Sequence, residues 1–365
     1  MEKPNDDSFK MKITFVVPSL NLTGGIRVVS IYADLLAKKG HTVIVVSPNE
    51  KKPTFKEKIK SIMRWKGYKY KSIFNSSFFS NTLFELRILE CCRPITDDDV
   101  PDADVVIATF WNTAEWMASF SEKKGKKVYF IQHYEVHPWL PVERVKATFM
   151  LPLKKIVVAQ WIADILSLEH DKLSTVVTNA VDHTLFNSPA RSKNKLVTYG
   201  MMYSAREYKG SQWAFECFNK LHSRYPNTKL IVFGMEALES VVNLPVGAEY
   251  FCQPEQGAIR GIYSQCDAYL FTSSVEGFGL PILEAMACRT PVIGTRCGAA
   301  PDLLASGGGW LVNIADSDEL LLAMENLYEL DAEAWRVVSD DAYKEAVLHS
   351  WQEKANEFEK ALMNA

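Results

Sequence analysis

The stretch DAYLFTSSVEGFGLPILEAMACRTPVIGT, Asp267 to Thr295, reads as a strand, a loop, a helix and a second strand. Pro281 falls near the first turn of the helix, where its missing N–H costs nothing. Glu276 and Glu284 stand either side of Gly277, Phe278, Gly279 and Leu280. The glycines let backbone amides come close to a ligand, and the helix N-terminus favours negative charge, so phosphate suits that position. The two carboxylates are acceptors that would repel phosphate and suit hydroxyl groups. Glu276 is therefore assigned to a hexose and Glu284 to a ribose, and a phosphate flanked by two sugars is a nucleotide sugar. The plain alternative is a surface loop with two solvated glutamates.

The same alternation runs through the chain. Short β-branched runs, each followed by a helical pattern, occur in the first half as KITFVVP, HTVIVVS, DVVIATF, KVYFIQ, KIVVA and STVVTN. In the second half they are KLVTYG, TKLIVFG, AEYFC, DAYLFT, TPVIGT and GWLV. Near-continuous apolar strands alternating with helices indicate parallel sheets covered on both faces. Two such series predict two doubly wound, Rossmann-like α/β domains. The pattern gives way to Pro, Ser and Asn over 182–195, so the expected domains are 1–188 and 189–345. The tail 346–365 is expected to be a closing helix that packs back towards the first domain. Ligands of open α/β sheets sit beyond the carboxyl ends of the strands, so two such domains facing each other would form a cleft there.

Composition narrows the class. The 365 residues exceed the usual size of a single core. A net charge of -3 argues against a general nucleic-acid binder. The seven cysteines form no Cys-x-x-Cys and no zinc spacing, and read as small core residues in a reducing compartment. The polar start MEKPNDDSFK lacks the apolar core of a signal peptide, and no segment has the apolar length to span a bilayer. A cytoplasmic protein is expected.

The Asp267–Thr295 block resembles the E-x7-E motif of the retaining group 1 glycosyltransferases (family 4), and the resemblance extends over most of the chain. VVPSLNLTGGIRVVSIYADLLAKKGHTVIVVS is similar to that family's opening strand, glycine loop and helix. VVTNAVDHTLF resembles its V-x-N-G-V-D-x-x-x-F linker, with Ala180 where glycine is usual. Arg289 likewise replaces a common glycine. The resemblance implies the GT-B architecture: two Rossmann-like doubly wound parallel-sheet domains facing a central cleft. It also implies a nucleotide-sugar donor in the second domain and an acceptor in the first, with retention at the anomeric carbon.

The remaining site residues follow from that resemblance. Gly24 and Gly25, ahead of a helix expected to begin near Ile26, are read as a backbone cradle near the diphosphate and the reacting sugar. LVTYGMMYSAREYKG supplies Lys209 and Arg206, whose charges would neutralise the leaving diphosphate. The family's arginine directly after the strand glycine is Met201 here, so Arg206 is the substitute, against the alternative of a solvated loop arginine. His133 ends the strand of YFIQHYEVHPW, where similar enzymes place a histidine beside the transferred sugar. Its expected task is hydrogen bonding to the sugar, while His137 reads as an ordinary loop residue. Gln253 and Glu255 are candidates to meet the base.

No cofactor or metal is expected. Asp97-Asp98-Asp99 and Asp102-Ala103-Asp104 resemble a metal-binding Asp-x-Asp, but they precede their strand and so fall on the wrong edge of the sheet. The basic, aromatic segment 51–74 either lies on anionic lipid, at the inner face of the membrane, or packs its apolar stripe inward. The expected activity is transfer of a hexosyl or deoxyhexosyl group to a glycan or lipid-linked acceptor, in surface polysaccharide or glycoconjugate synthesis. The rivals are a sugar-nucleotide epimerase and a non-catalytic nucleotide-sugar binding protein. A nicotinamide dehydrogenase is set aside, because SLNLTGGIRVV lacks the Gly-x-Gly-x-x-Gly spacing.

Overall fold

The computed structural model describes residues 9–21, 23–49, 78–79, 82–238 and 242–365. The basic segment 51–74 lies outside the described residues. The chain divides into two compact units. The first comprises 1–158, 162–177 and 355–365, and the second 159–161 and 178–354.

In the first unit the strands are β1 (Lys12–Val16), β2 (Thr42–Ser47), β3 (Glu85–Ile88), β4 (Val105–Ala108), β5 (Lys126–Ile131), β6 (Lys154–Val157) and β7 (Thr175–Val176). They form one sheet in the order β3-β2-β1-β4-β5-β6-β7, every pair parallel. The helices are α1 (Gly24–Lys38), α2 (Trp111–Ala118), α3 (Val142–Met150) and α4 (Gln160–His170). The central strands are the apolar runs expected, and all four residues of β4 are buried. β3 was not expected. It is an edge strand in which exposed Glu85 and Arg87 alternate with half-buried Leu86 and Ile88, so it lacks the continuous apolar signal of a strand covered on both faces.

The second unit contains β8 (Val197–Met202), β9 (Thr228–Gly234), β10 (Ala248–Cys252), β11 (Ala268–Phe271), β12 (Val292–Thr295) and β13 (Gly309–Val312). Their order is β10-β9-β8-β11-β12-β13, again all parallel. Its helices are α5 (Ser211–Arg224), α6 (Gln256–Gln265), α7 (Leu280–Ala287), α8 (Ala300–Leu303), α9 (Ser317–Glu329) and α10 (Ala332–Val347). Asp316 caps α9 by accepting from Asp318 N and Glu319 N, and Asp331 caps α10 through Glu333 N and Ala334 N. In each sheet the strand order reverses once, between β1 and β4 and between β8 and β11. Those two crevices are where an open α/β sheet binds ligands.

The second unit begins earlier in the chain than the Pro-, Ser- and Asn-rich stretch. Val181 N donates to the His349 carbonyl at 3.1 Å, and Phe186 is buried edge-on to Tyr263. Fully buried Asp267 then anchors the following residues, accepting from Thr198 N at 2.8 Å and from Asn194 N at 3.0 Å. The last helix, α11 (Trp351–Met363), counts with the first unit from Ala355 onward. Phe358 stacks on Tyr32 at 4.4 Å and meets Phe130 edge-on at 5.0 Å, while Glu359 pairs with Lys39 and His41.

Four of the cysteines are buried, as small core residues would be, but Cys91, Cys92 and Cys252 are exposed. Among the described residues no helix is long and apolar enough to cross a membrane.

The departure at Arg289 has a structural cause. Thr290 N donates to the Ala285 carbonyl at 3.0 Å and Arg289 N to the Met286 carbonyl at 2.9 Å, the pair of bonds that closes a helix in a Schellman turn. Arg289 occupies the left-handed position of that turn at φ 60°, which explains why glycine suits it. The arginine offsets its strain through an ion pair to Asp340, a bond to the Ser188 carbonyl at 3.2 Å and a position 4.1 Å over the Tyr343 ring. Arg289→Ala keeps the strain and loses the contacts, so it should cost about 1–3 kcal/mol. Arg289→Gly loses the same contacts but relieves the backbone, and should be about 1 kcal/mol more stable than the alanine variant. Urea unfolding midpoints check the order; alanine equal to or above glycine would exclude this account.

Candidate functional site

The crevice of the second unit lies between the loops that follow β8 and β11. Backbone contacts bind these loops together. Ser274 N donates to the Tyr208 carbonyl at 2.7 Å, and Thr272 Oγ1 to the Lys209 carbonyl at 3.1 Å. Gly210, at φ 69°, lies so close that a Cβ there would stand 2.3 Å from the Thr272 carbonyl oxygen. Only glycine fits both the dihedral and the space.

This seam brings Lys209 against Glu276. The Lys209 ammonium donates to Glu276 Oε1, which also accepts from Ser273 Oγ at 2.9 Å. The cation expected at the phosphate and the carboxylate expected at the sugar therefore neutralise each other. Arg206 is in the same turn but exposed, and its guanidinium donates to the Tyr208 hydroxyl at 2.7 Å rather than to Glu276. Met201 is fully buried inside β8, paired in register with Leu270, so the strand continues through the position where the family's arginine would stand.

Helix α7 follows directly. Gly279 precedes it at φ 99°, and a Cβ there would meet the Phe271 ring at 2.9 Å. Pro281 is in the first turn as expected. The Phe278 side chain is buried and its carbonyl accepts from Ala299 N at 2.8 Å, so this residue contributes backbone and core rather than a ligand-facing ring. Leu280 opens the helix and is half-buried. Glu284 is one turn further on and buried, and the Tyr263 hydroxyl of α6 donates to its Oε2 at 3.1 Å. Burial, reinforced by Glu284, holds the Tyr263 hydroxyl far above its ordinary pKa, so it remains a donor at any physiological pH. Gln253 (φ 51°) and Glu255 are exposed beyond β10, and Gln253 Nε2 donates to the Met235 carbonyl at 3.0 Å.

Trp161 carries no signal in the sequence. Its indole N–H donates to the Gly277 carbonyl at 2.8 Å, across 116 residues, and it counts with the second unit although most of α4 belongs to the first. The bond fixes the peptide between Gly277 and Phe278 at the turn ahead of α7.

In the first unit, Gly24 and Gly25 form the first turn of α1 itself, two residues before the expected start at Ile26. Thr23, the N-cap, makes no side-chain capping bond, so the opening amides of α1 are met by no cap. His133 is half-buried after β5. Its Nδ1 contacts the Tyr134 carbonyl at 3.0 Å, and because a carbonyl only accepts, that nitrogen carries the proton. Asp97, Asp98 and Asp99 form a 3-10 turn ahead of β4. Asp99 is paired bidentately with Arg93 and Asp97 accepts from Ser121 N at 2.6 Å, while Asp102 pairs with Lys124.

Residues 193–330 match the family described as "Glycosyl transferases group 1". These residues contain both seamed loops, α7 and the Lys209–Glu276 pair. This segment matches the group 1 family, and the chain is a glycosyltransferase. The enzyme is 24% identical over 365 residues to an uncharacterized glycosyltransferase of Haemophilus influenzae, covering 93% of this chain and 99% of that protein. Over 118 residues, 31% of each chain, it is 31% identical to N-acetyl-alpha-D-glucosaminyl L-malate synthase of Bacillus anthracis. The crystal structure of Anabaena HepE in complex with UDP and glucose superposes with a TM-score of 0.73 at 16% identity, covering 97% of this chain and all of that one. Sucrose-phosphate synthase from Thermosynechococcus elongatus superposes at 0.68 with 14% identity, covering 97% of this chain and 98% of that one. The glycosyltransferase thus has the two-domain GT-B fold.

Two expectations follow. Trp161→Phe removes the donor that holds the Gly277 carbonyl, and should raise the Kd of the activating nucleoside diphosphate about 3- to 30-fold while shifting Tm little; an unchanged Kd by calorimetry would show that the bond does not position the loop. Glu135 is buried, which pushes its carboxyl well above the ordinary range, against the lowering effect of the Trp111 amide it accepts. A raised carboxyl is fully stabilising only below its unfolded pKa of about 4.3, and that contribution is lost as pH rises through the folded value. Glu135→Gln should therefore melt above the parent at pH 7 and lose that advantage towards pH 4; parallel Tm curves would contradict it.

Proposed function

We propose that the enzyme moves a hexosyl or deoxyhexosyl group from a nucleotide sugar to a hydroxyl of a glycan or lipid-linked acceptor, with retention at the anomeric carbon. The observation that carries this reading is the Lys209–Glu276 pair in the β8/β11 crevice, beside the N-terminus of α7. When the bond from the anomeric carbon to the phosphate oxygen breaks, negative charge accumulates on the departing nucleoside diphosphate. An ammonium already in place stabilises that charge without reorganising. The Lys209 ammonium would turn from Glu276 to the phosphate, and the Glu276 carboxylate would then accept from a hydroxyl of the transferred sugar.

The amides of Gly277 to Leu280 and the start of α7 would hold the diphosphate, and Glu284, oriented by Tyr263, would accept from a ribose hydroxyl. Arg206 would swing from Tyr208 to the phosphates, and Gly24, Gly25 and His133 would meet the sugar from the first unit. The leaving phosphate would take the proton of the acceptor hydroxyl as the new glycosidic bond forms on the same face. Charge is met by lysine, arginine and amides, so no metal is required. Surface polysaccharide or glycoconjugate assembly would employ such a reaction. That the HepE crystal structure is of a complex with UDP and glucose supports a nucleoside diphosphate as the leaving group.

The test is a panel of nucleotide sugars with an oligosaccharide mixture, scored for nucleoside diphosphate release and for the anomeric configuration of the product. One donor should release diphosphate, and Lys209→Met and Glu276→Gln should each lower kcat about 10²- to 10³-fold. Epimerisation of the donor without an acceptor, binding without release, or turnover intact in both variants would each overturn the reading.

A further inference from the structure

The edge of the first sheet carries a pair of groups that the transfer reading does not use. β3 is the outermost strand, and the chain leaves it through a bend over 90–93 that sets Cys91 and Cys92 side by side. Both thiols are exposed. The buried cysteines differ: burial pushes the Cys288 and Cys297 thiols up to about 12, so they stay protonated near neutral pH.

The bend is held from both sides. Leu89 N donates to the Ser47 carbonyl at 2.9 Å and Asn49 N to the Cys91 carbonyl at 3.3 Å. Asn49 Nδ2 donates to the Glu90 carbonyl at 3.2 Å, which completes the tie to the end of β2. On the other side Arg93 is locked against Asp99, with Nη1 donating to Oδ2 at 2.6 Å and Nη2 to Oδ1 at 2.7 Å. Asp99 is itself fixed, accepting from Thr96 N at 2.8 Å. The guanidinium held in this way also hydrogen-bonds the Cys91 side chain.

Two exposed thiols on consecutive residues, the first beside a positioned cation, suit one kind of chemistry. A thiolate is the form that attacks a disulfide, and a guanidinium hydrogen-bonded to the sulfur meets its charge. A second thiol one residue away is placed to displace the group that the first has captured. Consecutive Cα atoms are ~3.8 Å apart, below the ~4.4–6.8 Å that relaxed disulfides span, so a bond between neighbours is strained and readily reduced. Strained, exposed disulfides are the labile ones that exchange with a thiol pool.

We propose that Cys91 and Cys92 form a reversible exchange site for low-molecular-weight disulfides of the glutathione type. The Cys91 thiolate, its proton lost to water, attacks one sulfur of the disulfide RSSR. The S–S bond breaks, RS⁻ leaves and is protonated by water, and Cys91–S–S–R forms. The Cys92 thiolate then attacks the Cys91 sulfur and expels the second RS⁻, which also takes a proton. The two protein thiols lose two electrons, and one RSSR is reduced to two RSH. This site stands whether or not the transfer reading does.

Incubation of the full chain with oxidised glutathione, followed by peptide mass spectrometry, tests it. The peptide carrying both cysteines should lose two hydrogens, regain them with dithiothreitol, and react about tenfold faster than the equally exposed Cys252. Cys92→Ser should stop at a glutathione adduct on Cys91, and Arg93→Gln should slow the parent reaction about 3- to 10-fold. A pair no faster than Cys252, an adduct that persists in the parent without ring closure, or an unchanged rate in Arg93→Gln would each overturn the proposal. So would a Cys91→Ser chain that captures glutathione on Cys92 as fast as Cys92→Ser captures it on Cys91.

Discussion

The crevice of the second unit depends on one constraint: the loops after β8 and β11 must touch. Parallel neighbours end at the same edge of a sheet, so their following loops start side by side. Gly210, pressed against the Thr272 carbonyl, and the bond from Ser274 N to the Tyr208 carbonyl then close the gap. Lys209 and Glu276 are 67 residues apart and meet only because of that seam. A partly exposed ion pair stabilises a fold by less than ~1 kcal/mol, so the pair is a product of the loop contact and not its cause. Its charges are consequently available for exchange with a ligand at small cost.

Helix α7 links this crevice to the core. Its N-terminus is set by the left-handed Gly279, and its far end is closed by the turn that Arg289 completes. Between them Glu284 is held under the Tyr263 hydroxyl, so the second glutamate is oriented before any ligand arrives. Trp161 braces the same turn from a distant part of the chain. Each of these supports fixes backbone or a carboxylate position. Catalysis by preorganised charge needs such rigidity, since donors that must reorganise during reaction lose their advantage.

The first unit has a different economy. Among its described residues Trp111 Nε1, Asn112 Oδ1 and Gln132 Oε1 are buried without hydrogen-bond partners. Leaving such atoms unpaired costs about 1–3 kcal/mol apiece. Buried Glu135 holds the loop after β5 to the start of α2 by accepting the Trp111 amide.

Much of this was legible in the residues. The four inner strands of the second unit, β9, β8, β11 and β12, coincide with apolar runs, because a strand covered on both faces must be apolar throughout. The loop around Gly277 and the start of α7 announced themselves through glycine and proline, whose backbone preferences are local. β3 escaped notice because an edge strand needs only an alternating pattern, and the first turn of α1 was misplaced by two residues because glycine normally signals a loop. The pairing of Lys209 with Glu276, the Trp161 bond to Gly277 and the burial of Glu284 had no local signature. By itself the sequence determined where strands, turns and candidate charges fall, since periodicity and turn chemistry act over a few residues. Tertiary structure alone decided which of those charges meet, because that depends on which strands lie side by side.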